Sequence, residues 1–246
     1  MSASVRVPTI GSRTVRRLTA AVLGLSLLAA HAGGDSPLPE RPSRAASLCV
    51  TEGKISELDN GRASVSVPKM RAYAQQGGSD FADLQFLYRG HTEVLQALAS
   101  GATRVQLGLK LRAQDACNLL YVMWRVEPRS ELVVSVKSNP GERSSSECGN
   151  HGYRDLKPQQ SSPLPRLLSG ELHRLRAEIR SEELWVFADE HAVWRGPLDA
   201  NAKGFHGPVG LRTDDASMEF ALGVDESRAS LTDPVRECRS GPEAAD

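Results

Sequence analysis

The polar and apolar positions of this chain alternate. In Thr103–Leu111, TRVQLGLKL, Val105, Leu107, Leu109 and Leu111 fall on one side, with Arg104, Gln106 and Lys110 on the other. Leu132, Val134 and Val136 repeat the pattern, as do Leu175, Ala177 and Ile179 against Arg174, Arg176 and Glu178. Met218, Phe220, Leu222 and Val224 do so near the end, and Ala63, Val65 and Val67 and then Leu84, Phe86 and Tyr88 near the start. A period of two over five or more residues predicts half-buried antiparallel strands. Cys117–Val126, CNLLYVMWRV, is apolar on both sides and predicts a central strand.

Helical spacing is scarce. TEVLQALASG predicts one short connector helix, with Thr92 as its N-cap and Gly101 just beyond its end. No repeat of propeller or solenoid length is present. Many strands joined by polar connections predict an all-β, two-sheet antiparallel β-sandwich. Asn139–Pro165 reads as a long polar loop lying over one face or rim.

The ends of the chain modify this picture. Arg6, Arg13, Arg16 and Arg17 precede the apolar run Leu18–Ala30, and Ala30-His31-Ala32 follows. That layout predicts a secretory signal peptide over 1–32, cleaved after Ala32. The run is too short to span a membrane, which takes about 20 apolar residues. Residues 33–46, rich in Pro, Gly and Ser, read as a flexible linker. Residues 47–238 form the domain, and 239–246 a polar tail. The whole chain carries 30 basic and 30 acidic residues; losing four arginines leaves 26 against 30, a net charge of −4. A mildly acidic chain without a basic run does not suit nucleic acid. The expectation is an exported protein, periplasmic or extracellular, with no stable membrane insertion once the leader is gone.

Cys49, Cys117, Cys148 and Cys238 are an even set in an exported chain, which favours disulfides. Of the three pairings, Cys117 with Cys148 closes a loop between neighbouring segments, and Cys49 with Cys238 staples the domain's ends. No pair has the C-x₂-C spacing usual for zinc.

The segments Gly170–Ile179, Leu184–Asp189, Gly207–Thr213 and Ala216–Val224 resemble the laminin-G-like, concanavalin A-like jelly-roll families. Their order is a strand, an L-x-V-x-x-D hairpin, a G-x-V-G-L-x-T turn and strand, and a closing alternating strand. One departure stands at Glu190-His191, where these families usually carry glycine, so the hairpin must turn differently, with room for a longer loop. The resemblance implies a two-sheet jelly roll. Such domains bind carbohydrate, extracellular protein or calcium, and some relatives hydrolyse glycosides. Fold alone does not decide among these.

The chemistry read from the residues is sparse. There is no E-x-D-x-x-E strand for double displacement and no G-x-S-x-G elbow. Asp189, Glu190 and His191 are consecutive, so on a strand their side chains would diverge; they read as the tip of a hairpin. No metal set is expected, and calcium at Asp214 or Asp215 follows only from the family analogy. Binding is the better reading. Sugar rings stack on aromatic faces, which singles out Trp194, Trp185 and Tyr153, with Asp189 as a polar neighbour. Trp124 and the other tryptophans also have a bland reading as core. The expected partner is a glycan or an extracellular or cell-envelope protein. A sugar-active enzyme on the same fold and a plain interaction module are the alternatives.

Overall fold

The computed structural model describes residues 43–225, and the reading of 1–32 as a leader falls outside them. The strands run β1 (Ser43–Ala45), β2 (Leu48–Glu52), β3 (Ser56–Glu57), β4 (Ala63–Val65), β5 (Lys69–Ala74), β6 (Phe81–His91), β7 (Val105–Leu111) and β8 (Leu119–Glu127). They continue as β9 (Glu131–Lys137), β10 (Tyr153–Asp155), β11 (Gln160–Ser161), β12 (Leu172–Arg180), β13 (Glu183–Ala188), β14 (His191–Pro197), β15 (Gly210–Asp214) and β16 (Ala216–Asp225). Two short helices, α1 (Ser145–Cys148) and α2 (Ala200–Gly204), lie in connections.

The strands form two antiparallel sheets. The nine-stranded sheet has the order β11-β14-β13-β12-β6-β16-β4-β3, with β1 also paired to β16. The seven-stranded sheet has the order β10-β9-β8-β7-β15-β5-β2. The alternation fixes which side each presents. Leu84, Phe86, Leu175, Ala177, Leu184, Val186, Phe220 and Leu222 of the first sheet and Leu107, Leu109, Leu120, Val122, Trp124, Val134 and Val136 of the second share one buried core. Phe86 meets Trp124 edge to face, their ring centroids 6.0 Å apart. The result is a jelly-roll β-sandwich.

Several expectations change. Thr92–Gly101 is not helical. The Thr92 hydroxyl donates to Val94 O at 2.7 Å rather than capping a helix, and Gln96 N–H donates to the Asp215 carboxylate at 2.8 Å. So short a segment gains too little from its own turns to outbid such contacts. The linker reading ran too far, because Ser43–Ala45 pairs with β16. The long loop carries structure: β10 extends one sheet and β11 pairs with β14 in the other, so the segment crosses between sheet edges. Cys117 and Cys148 are disulfide-bonded. Cys49 is buried and also disulfide-bonded, whereas Cys238 lies outside the described residues.

The Glu183–Gly196 hairpin turns in two residues, not through a longer loop. Asp189 and Glu190 have φ of 45° and 67°, the pattern of a type I′ turn. Asp189 offsets the left-handed backbone with its carboxylate, which accepts from Arg174 N at 2.8 Å and meets His173 Nδ1 at 2.9 Å. Glu190 pairs with Arg174 at 2.6 Å.

Candidate binding groove

A groove of about 460 Å³ runs across the face of the seven-stranded sheet turned away from the core. The pairing register builds its floor. Arg71, Arg212, Gly108 and Met123 stand in one row across β5, β15, β7 and β8, and Lys110, Tyr121, Ser135 and Asp155 in the next across β7 to β10. Leu98–Ser100 contributes one wall and Gly149–Asn150, beside Cys148 of the disulfide, another. At Gly108 the strands approach so closely that a Cβ would lie 2.1 Å from Val122 O, so the floor stays low between Arg212 and Met123.

Under this floor Asp214, fully buried, accepts from Arg71 Nη2 at 2.6 Å, Gln106 Nε2 at 2.6 Å and Arg212 Nε at 2.8 Å. Burial alone would raise its carboxyl, but Arg212 and Arg71 outweigh that and hold it well below the usual carboxylate range. The anchored Arg212 guanidinium lies 5.0 Å from the Tyr121 ring centroid, and its Nη1 is 3.4 Å from Tyr153 Oη. Tyr121 and Tyr153 stack with centroids 5.9 Å apart. Tyr121 is buried, which pushes its phenol up. Burial also raises the Tyr153 phenol, but Arg212 and Lys137 together bring it below its ordinary value. Tyr153 is 40% exposed, so the pair offers one accessible ring held on a rigid one.

The structure separates the residues singled out from the sequence. Tyr153 is in the groove. Trp194 is not on an open surface: it is 4% exposed, in the core, beside a second cavity of about 420 Å³ lined by Leu132, Val134, Leu156 and Leu164. The cause is a bulge between Val186 and Phe187, which pairs Trp194 with Val186 and turns it inward. Trp185 lies on the outer face of the nine-stranded sheet, stacked on Phe187 and covered by the Arg195 guanidinium 4.1 Å from its ring centroid. Asp189 is occupied at the hairpin tip. Of the two aspartates considered for calcium, Asp214 is engaged by two guanidiniums, while Asp215 Oδ1 accepts from Gln96 N and its Oδ2 is buried without a partner. Among the described residues no group of three or more His, Cys, Asp and Glu side chains is placed to hold a metal ion.

Sequence reasoning missed Arg71, Tyr121, Lys137 and Arg212. The available signal was the polar side of the alternating strands, where cations outnumber acids.

No protein-family model matches the chain, and no curated protein is significantly similar to it. Solved structures do align with it. A carbohydrate-binding module from Bacillus subtilis matches at 14% identity and a TM-score of 0.49, over 74% of this chain and 96% of that one. Domain 4 of an extracellular arabinanase from Geobacillus stearothermophilus matches at 10% identity and a TM-score of 0.40, over 74% and 84%. A tetrameric galectin from the sponge Cinachyrella sp. matches at 16% identity and a TM-score of 0.37, over 64% and 99%. At these values the likeness carries nothing about ligand or chemistry.

Proposed function

We propose that the chain is an exported, non-catalytic binding protein that takes a glycan in the groove of the seven-stranded sheet. The observation that carries this is the Tyr121–Tyr153 stack, whose Tyr153 is 40% exposed in the groove, with Arg212 fixed beside it by Asp214. A sugar ring needs an apolar plate under its C–H face and planar donors at its hydroxyls, and this arrangement supplies both. Laminin-G-like descent is the lineage that Gly170–Val224 supports. Export rests on the leader-like first 32 residues; N-terminal sequencing of secreted material should begin at Gly33, and a start at Met1 would refute cleavage. Among the described residues no helix is long and apolar enough to cross a membrane.

The lining carboxylates do not favour two-carboxylate hydrolysis. Glu52 is on β2 and Asp155 on β10, the two edges of the sheet. Six strand spacings separate them, roughly 29 Å along the sheet, where that chemistry needs about 5–9.5 Å. A glycan array with the full chain and Tyr153→Ala tests the proposal. Binding lost in the variant supports it. Binding that survives the substitution, or a partner that is only protein, refutes it.

A further inference from the structure

The groove's wall is cationic although the chain as a whole is not. Lys69, Arg71, Arg104, Arg125, Lys137 and Arg212 line it, against Glu52 and Asp155. Asp214 engages Arg71 and Arg212, and Glu131 engages Arg125.

Lys137 is matched differently. Lys137 is 3% exposed, and its Nζ donates to Gly149 O at 2.8 Å and Ala116 O at 3.3 Å. Both partners are carbonyls; among the described residues no carboxylate is in salt-bridge contact with it. An ammonium has three N–H donors, so one remains after these two bonds. A buried charge with no carboxylate in contact is costly, and burial lowers the lysine's proton affinity although Asp115 and Glu142 act on it from a distance in the other direction. Arg125 adds a second unmet donor: its Nη1 holds Glu131 at 2.7 Å, while its buried Nε has no partner. Lys137 and Arg212 flank Tyr153, with Lys137 Nζ 5.2 Å from the ring centroid and Arg212 Nη1 3.4 Å from the hydroxyl.

We infer that the groove's ligand is an acidic saccharide, whose carboxylate or sulfate supplies the contacting counter-ion that Lys137 lacks, with Arg212 on the other side of the ring seated on Tyr153. This inference rests on the groove being the glycan site. A carboxylate or sulfate presents several acceptor oxygens to a guanidinium and an ammonium together, which neutral hydroxyls do not match.

Calorimetric titration of the full chain tests it. The probes are a polyuronate and its carboxyl-reduced form, and a sulfated polysaccharide and its desulfated form. At least one acidic polymer should bind about tenfold or more tighter than its neutralised counterpart. Its binding should weaken as salt rises and fall about tenfold in Lys137→Gln. The two acidic arms distinguish carboxylate from sulfate. Should Lys137→Gln fail to fold, the polymer pairs and Arg104→Gln decide, and Arg104→Gln should weaken acidic binding severalfold. Neutral forms binding as tightly as acidic ones, with loss in Tyr153→Ala, would overturn the inference and leave the groove standing. Acidic binding unchanged by Tyr153→Ala would overturn the groove itself, and binding to none of the four would overturn the inference and leave the groove to the glycan array.

Discussion

Asp214→Asn is the perturbation that reaches furthest into this structure. The substitution keeps the size of the side chain and removes its charge. Arg71 and Arg212 then lose their shared counter-ion, and the new amide sets a donor against either Arg71 Nη2 or Gln106 Nε2 and Arg212 Nε, which stand 2.6 to 2.8 Å from the present oxygens. Breaking a buried ion pair costs about 3–5 kcal/mol. The two arginine side chains are 13% and 12% exposed and keep some water, so the lower end applies, about 3 kcal/mol. In a domain of this size that is roughly 6–12 °C in Tm. Calorimetry and urea unfolding measure it. The pH dependence adds a sign. The folded carboxyl is held below its unfolded value, so its contribution is fully present above the ordinary aspartate range and is lost as pH falls through the folded value. The gap between wild type and variant should therefore be flat above about pH 5 and shrink below about pH 4. The double variant Asp214→Asn/Arg212→Met should recover part of the loss, because it removes one stranded guanidinium. A loss under about 1 kcal/mol, the size of an exposed pair, would refute the reasoning.

Non-reducing peptide mapping should find Cys117 joined to Cys148, and Cys49 to Cys238; four free thiols would refute both. Cys117→Ser/Cys148→Ser, which opens a loop of sequence separation 31, should cost about 3–4 kcal/mol in denaturant unfolding. Trp194→Ala should cost about 3–5 kcal/mol while leaving glycan binding in place, since Trp194 is core; stability unchanged would return it to the surface. In an ultraviolet titration of tyrosine ionisation, Tyr153 should ionise below the ordinary range and Tyr88, raised by burial and Glu127, only near about 12. Arg212→Gln should move the Tyr153 step upward, and a step that stays put would remove Arg212 from its surroundings.

Much of the architecture was legible because a period of two is a local signal. Val105 to Leu111 and Met218 to Val224 declare their inward faces without reference to any other strand. Cys117–Val126 was legible as a central strand, yet its second apolar face had another meaning: Tyr121 and Met123 floor the groove. Trp194 was harder. Its direction depends on one extra residue at the bulge opposite Val186, and alternation counted along β14 alone does not reveal it. Thr92–Gly101 carried helix-like spacing but was decided by Asp215, over a hundred positions away. The groove was the least legible feature. Arg71 and Arg212 are 141 positions apart and become neighbours only because β15 inserts between β5 and β7. The contacts of Asp214 with Arg71 and Gln106 are a product of that same insertion.

The central claim is that a glycan sits on Tyr153 in the groove of the seven-stranded sheet. The direct measurement is the affinity of the full chain and of Tyr153→Ala for the best glycan from the array, by calorimetry, with thermal unfolding to confirm that the variant is folded. Losing a stacking face should weaken binding about tenfold or more, with Tm nearly unchanged because the ring is partly exposed. Equal affinities in two equally folded proteins would contradict the account.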